Sequence, residues 1–165
     1  MSRIPTTVRL APEDLQVIVG FAEVAYPEEC CGLLSGAEEA GVVQVDGVHE
    51  SENLAEEPAR RFEVDPALRL RLQRALRGSG RGVVGIYHSH PDGPARPSPR
   101  DLDAAWEPDL VWLIVGVRKG QFVQSTAHVL VAEGDETRFV EVPLITSDST
   151  AISGRRPLEG GDSEL

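Results

Sequence analysis

Cysteine is nearly missing: the chain has two in 165 residues, the adjacent pair Cys30 and Cys31. Neighbouring side chains on a strand point to opposite faces and cannot readily bridge. A disulfide scaffold is therefore excluded, and a reduced, cytoplasmic protein is expected. No apolar run approaches the roughly 20 residues of a membrane span. The opening MSRIPTTVRLAPEDL also lacks the apolar stretch of a secretion signal. Lysine occurs once, at Lys119, and the formal net charge is −11. Such acidity argues against a nucleic-acid partner, whose phosphates it would repel. There is no internal repeat. What is present, 41% hydrophobic and 26% charged residues, is ordinary for a soluble domain. The length suits one hydrophobic core and is too short for two.

The order of elements suggests an α/β domain. APEDLQVIVGFAEVAY reads as a helix, with Pro12 in its first turn, acids at Glu13 and Asp14, and Pro27 ending it. Leu15, Ile18, Val19, Ala22 and Tyr26 mark one face. Val17, Phe21 and Val24 mark another, so both sides are expected to be covered. EECCGLLSG predicts a short buried strand closed by Gly36, and GVVQVDGV a second, with Asp46-Gly47 at a turn or bulge. Residues 50–60 read as a loop and RFEV as a short strand. Asp65-Pro66 opens a helix over PALRLRLQRALRG, whose apolar face is Leu68, Leu72, Ala75 and Leu76. Its LRLRL portion also fits a strand period. Strands follow at GVVGIYHSH, LVWLIVGV, FVQSTAHVLVA and ETRFVEVPLI, with a short helix from Ser98 through Trp106. Such alternation implies a sheet packed between helices. From Thr146 the chain has almost no large apolar residues, which predicts a domain over 1–145 and a flexible tail over 146–165.

The chemistry gathers in GIYHSHPDGPARPSPRDL. His88 and His90, two of the four histidines, lie two apart on a strand and so share a face. Pro91 and Gly93 release the chain into a loop that returns at a helix start carrying Ser98 and Asp101. Taken alone, each feature has a structural explanation. A histidine can simply be packed, and Ser98-Pro99-Arg100-Asp101 is a good capping box. Together, two imidazoles and one carboxylate on rigid elements form a three-ligand set that leaves zinc one open position. Spacing alone does not choose the base for a zinc-bound water among the many carboxylates.

HSHPDGPARPSPRD fits the pattern His-x-His-Pro, six residues, Ser-x-x-Asp, and YPEECCGLLSG places a glutamate at a helix-to-strand junction upstream. Both motifs, in this order, resemble the JAMM/MPN-plus metallopeptidase family, with the prokaryotic branch suggested by CCGLLSG and NLAEEPARRFEVDP. The resemblance spans roughly residues 10–145 and implies a single-domain JAMM-like fold, a mixed curved β-sheet between α-helices. It implies one Zn2+ per chain on His88, His90 and Asp101. It further implies Glu29 as general base, its neighbour Glu28 being the competing assignment, and Ser98 as the hydroxyl stabilising the oxyanion. The implied reaction is hydrolysis of an amide after the C-terminal Gly-Gly of a ubiquitin-like or sulfur-carrier β-grasp protein, releasing lysine, peptide or cysteine. The segment from Asn53 to Phe62 is a candidate wall of the groove for that tail.

Two other functions compete. The loop also resembles RadC-type proteins linked to DNA processing, but the charge has the wrong sign. A non-catalytic module with a structural zinc would more often show four protein ligands. Cys30 and Cys31 are expected to be small buried residues. Gly160-Gly161 in the tail resembles the sequence such an enzyme cuts. No nucleic-acid or membrane partner is expected, a homodimer is left open, and His49 and His128 receive no role.

Overall fold

The computed structural model describes residues 4–105 and 107–146. In chain order the elements are β1 (Thr7–Arg9), α1 (Pro12–Ala25), β2 (Cys31–Glu39), β3 (Val42–Ser51), α2 (Pro66–Leu76) and β4 (Gly82–Pro91). Then come α3 (Pro99–Ala104), β5 (Val111–Arg118), β6 (Gln121–Glu133), β7 (Glu136–Val142) and β8 (Leu144–Ile145). The strands form one sheet in the order β7-β6-β5-β4-β2-β3-β1-β8. It is mixed: β4 and β5 pair parallel, while β2–β3, β2–β4, β5–β6 and β6–β7 pair antiparallel. Helix α1 touches β3, β5 and β6. These strands span about 19 Å of sheet at roughly 4.8 Å per strand, wider than a helix of about 10 Å, so the sheet curls around it.

The two sheet faces are covered by different helices. Ile18 and Ala22 of α1 pack with Leu34, Tyr87, Leu113 and Val115 on one face. Leu68 and Leu72 of α2 pack with Leu33, Val83 and Ile86 on the other. The mixed α/β architecture, with its sheet between helices, is the expected one. Strand β5 is buried from Val111 to Val117, as a central strand covered on both sides must be.

A bulge sets which face the β4 side chains reach. Pairing between β2 and β4 shifts at Leu34/Ser35, leaving Val84 as an extra residue. Val83 and Ile86 therefore share the α2 face although an odd number of positions separates them. From Ile86 onward regular alternation carries His88 and His90 onto that same face. A second shift, between Ser35 and Gly36, leaves Asp46 unpaired, which is the bulge expected at Asp46-Gly47.

Several sequence expectations are corrected. Val17 and Val24 are 45% and 86% exposed, so of the second apolar stripe of α1 only Phe21 packs against the core. Strand β2 runs past Gly36 to Glu39, because Ala40 and Gly41 adopt positive φ and turn the chain directly into β3. RFEV is not a strand; Val64 alone forms an isolated bridge, to Asn53. LRLRL is helical, capped by the Asp65 side chain, which accepts from the Ala67 amide. The ETRFVEVPLI segment splits into β7 and β8 at Pro143, which cannot donate to a ladder. Strand β1, parallel to β3 and β8, was not anticipated. Helix α3 ends at Ala104. Trp106, expected to end it, and the tail from residue 147 on, including Gly160-Gly161, lie outside the described residues.

Candidate active site

His88 and His90 project from the C-terminal end of β4, and Asp101 from the first turn of α3. The six-residue helix owes its position to its cap: the Asp101 amide donates to Ser98 Oγ at 3.1 Å, and the Ser98 amide donates to Asp101 Oδ2 at 2.9 Å. The capping box is therefore real, and it aims the Asp101 carboxylate at the two rings. The intervening loop is fixed at Asp92, which has a positive φ of 56°. Its carboxylate accepts from the Lys119 amide at 2.8 Å and from the Tyr26 hydroxyl at 2.5 Å.

The three side chains meet closely. His88 Nε2 lies 3.0 Å from His90 Nε2 and 3.2 Å from Asp101 Oδ2, and His90 Nε2 lies 3.0 Å from the same oxygen. His90 Nδ1 is 2.8 Å from the Pro94 carbonyl, so its proton belongs there and Nε2 of the neutral ring presents a lone pair. Two ring nitrogens and an anionic oxygen then crowd together with too few protons to satisfy them. A bound divalent cation resolves that conflict, and two imidazoles with a carboxylate are donors suited to zinc. The residues fit the expected metal.

His88 has aromatic neighbours on two sides. His88 is fully buried, and Phe62 stacks on it at 4.2 Å between ring centres, with Trp112 edge-on at 5.5 Å. Burial holds the His88 pKa below its usual value, although Asp101 pulls it the other way. Burial opposes charge on His90 as well, but the hydrogen bonds to Asp101 and Pro94 raise its pKa on balance. For Asp101 burial pushes upward, and the close approach of His88 and His90, which favours its anionic form, outweighs it and holds the carboxyl well below the usual range.

Glu29 sits just before β2, 6% exposed, in a cleft of about 430 Å³ that it shares with His90, Ser98, Arg60 and Arg100. Burial, the largest influence, raises its pKa to about 7, with His90 opposing and Asp101 adding. Its Oε1 is buried and has no hydrogen-bond partner among the described residues. Glu28 is exposed. Between the two glutamates, only Glu29 is brought to the cleft beside His90. Ser98 lines the same cleft, and accepting from Asp101 leaves its hydroxyl proton for another partner. All five residues singled out in the sequence are thus gathered in one place. Arg60 and Arg100 also line a second groove of about 850 Å³, with Phe62, Glu63, Asp101 and Asp103, so the two hollows adjoin. Cys30 and Cys31 are buried free thiols, and burial pushes them up to about 11 and about 12.

A family model described as prokaryotic homologs of the JAB domain matches residues 12–129. The chain belongs to this family. It is 38% identical over 118 residues to a desampylase of Haloferax volcanii, covering 72% of this chain and 79% of that one. It is 36% identical over 117 residues to a probable TtuB-protein conjugate cleaving protease of Thermus thermophilus, covering 69% of each. The solution structure of a protein from Desulfitobacterium hafniense matches with a TM-score of 0.69 at 29% identity, over 85% of this chain and 94% of that one. The JAMM resemblance and the hydrolase class expected from the sequence both stand.

Sequence reasoning places Phe62 at the end of the groove wall but misses it as the cover of His88, because RFEV fits a strand pattern. It also gave Asn53 no more than a place in a groove wall. One signal was available: Asn53 is the sole asparagine in the chain, set among acids that cannot donate hydrogen bonds.

Proposed function

We propose that this protein is a zinc-dependent peptidase or isopeptidase. Its substrate is the amide bond that follows the C-terminal Gly-Gly of a ubiquitin-like or sulfur-carrier β-grasp protein. The observation that carries the reading is the convergence of His88 Nε2, His90 Nε2 and Asp101 Oδ2 within 3.0–3.2 Å beside a buried carboxyl with an unpartnered oxygen. Similarity to the Haloferax desampylase and to the probable TtuB-protein conjugate cleaving protease of Thermus supports the substrate class.

His88, His90 and Asp101 hold the ion, which when bound supplies Lewis acidity toward water and the substrate carbonyl. Glu29 is the general base. Its carboxylate accepts a proton from the attacking water and delivers it to the leaving nitrogen as the C–N bond breaks, so the products are a carboxylate and an amine. A pKa near neutrality suits both halves of that transfer. The Ser98 hydroxyl donates to the carbonyl oxygen as it becomes negative, a contribution of about 3–4 kcal/mol for one well-placed donor. The Pro94 carbonyl fixes His90, and Phe62 excludes water from the far side of His88. A Gly-Gly tail, lacking side chains, can lie close to backbone in the narrow cleft.

Incubating the protein with carrier–peptide fusions, carrier–lysine conjugates and carrier–cysteine adducts tests this. Mass spectrometry is expected to show cleavage after Gly-Gly that is lost with chelator and in Glu29→Ala. Cleavage that persists in Glu29→Ala, or none of any adduct, contradicts the proposal.

A further inference from the structure

The segment between β3 and α2 has no regular structure, yet one side chain organises it. The Asn53 carboxamide nitrogen donates to the Glu29 carbonyl at 3.0 Å and to the Arg61 carbonyl at 2.9 Å, with the Pro58 carbonyl at 3.4 Å sharing a hydrogen. Its oxygen accepts from the amides of Ala55 and Glu63, both at 3.0 Å. Both donor hydrogens and both acceptor positions are thereby used. The Glu29 amide, in turn, donates to the Pro58 carbonyl at 2.8 Å. The backbone of Glu29 is thus gripped from both sides, by Asn53 and by the turn that Asn53 ties. That same turn delivers Ala59 and Arg60 to the cleft and Phe62 to the face of His88.

We propose that Asn53 is a positioning residue that sets Glu29 and the 54–63 wall against the histidine pair as one unit. The idea rests on the role given to Glu29 above. Asparagine alone suits the position. Aspartate would set a carboxylate against the Glu29 and Arg61 carbonyls, and glutamine is one methylene too long for five short-range bonds. The base stands on a junction rather than inside a strand, so without this tie only the flanking elements orient it. A misplacement of about 1 Å can cost roughly 100-fold in rate.

The test uses the full chain and a carrier–peptide fusion with Gly-Gly before the junction. In Asn53→Ala, kcat is expected to fall at least about 30-fold with KM within about threefold. The absorption spectrum of the cobalt(II)-substituted protein is expected to keep its wild-type form, because the ligands are untouched. Amide exchange at Glu29, Ala55 and Glu63 is expected to quicken by about tenfold or more. Asn53→Asp keeps the acceptor oxygen but not the donors: Ala55 and Glu63 stay protected, Glu29 does not, and kcat falls as in the alanine variant. A merely structural role lowers the folded fraction and metal occupancy but leaves kcat per loaded molecule unchanged, and that result overturns the proposal. Unchanged exchange at Glu29 in both variants overturns it as well. Should Asn53→Ala fail to fold, Asn53→Asp decides. If the wild type cleaves no fusion, the functional reading fails, and the exchange measurement still judges the tie.

Discussion

At one place on the sheet Ser35, Asp46 and His49 come together with Arg81; at another, Glu29, His88, His90 and Asp101 meet beside Ser98. Both clusters combine serine, carboxylate and imidazole. In the first, the Ser35 hydroxyl donates to Asp46 at 3.1 Å and lies 2.9 Å from His49 Nε2. Arg81 grips both oxygens of Asp46 at 2.6 and 2.5 Å and holds its carboxyl below the usual range. The charges cancel and the cluster fills the bulge at Asp46. In the second, among the described residues neither Glu29 nor Asp101 has an arginine or lysine within ion-pair distance, and buried atoms on Glu29 and His88 lack partners. Shared residue types therefore do not make a site. The informative feature is polar capacity left unspent where metal-ligating side chains converge.

That contrast is broken most severely by removing a ligand. Asp101→Ala is expected to abolish zinc binding and cleavage together, a loss of about 1,000-fold or more. His49→Ala is expected to stay within about threefold in rate, since nothing reacts at its cluster. Equal losses from both would erase the distinction. Next in size, Glu29→Gln is expected to retain zinc and lose about 100- to 10,000-fold in kcat, as removal of a general base should. Stoichiometry by metal analysis, set beside turnover, separates this from ligand loss.

The same substitution has a pH signature in the chelated protein. Burial raises the Glu29 pKa from an ordinary 4.5 to about 7 in the folded state. Folding therefore favours the protonated form, and ionisation costs stability progressively as pH rises from about 4.5, in full above about 7. Chelated Glu29→Gln is expected to be more stable than chelated wild type at pH 8 by about 1–3 kcal/mol, with no difference near pH 4. Denaturant unfolding at the two pH values reads this directly. A wild type as stable as the variant at pH 8 would mean the carboxyl is not desolvated.

Ser98→Ala removes a cap and a donor at once. Loss of the cap costs about 1 kcal/mol, and loss of the donor costs about 100-fold in kcat. A melting shift with unchanged kcat would leave Ser98 with the cap alone. Smallest is Arg81→Ala, which frees Asp46 at a half-exposed, solvent-screened pair and is expected to leave the melting temperature almost unchanged.

The centre of the site was legible because its signals are local. Two histidines two apart on a strand must share a face, and Ser98 with Asp101 is both a cap and a pair. Glu29 was legible through family resemblance alone; its approach to His90 depends on distant pairing of β2 with β4. What escaped is long-range or lacks a sequence period. Asn53 works through backbone groups 2 to 24 residues away. The turn at Ala40-Gly41 carries no asparagine or aspartate to announce it. Periodicity gave α1 two apolar stripes, and only packing decides that in the second Phe21 turns to the core while Val17 and Val24 face outward.

The most direct test is the zinc content of protein purified without chelators, measured for wild type, Glu29→Gln and Asp101→Ala. One ion per chain in the first two and none in the third is the predicted result. A wild type that arrives metal-free and takes up no zinc, or an Asp101→Ala variant that keeps its ion, would contradict it.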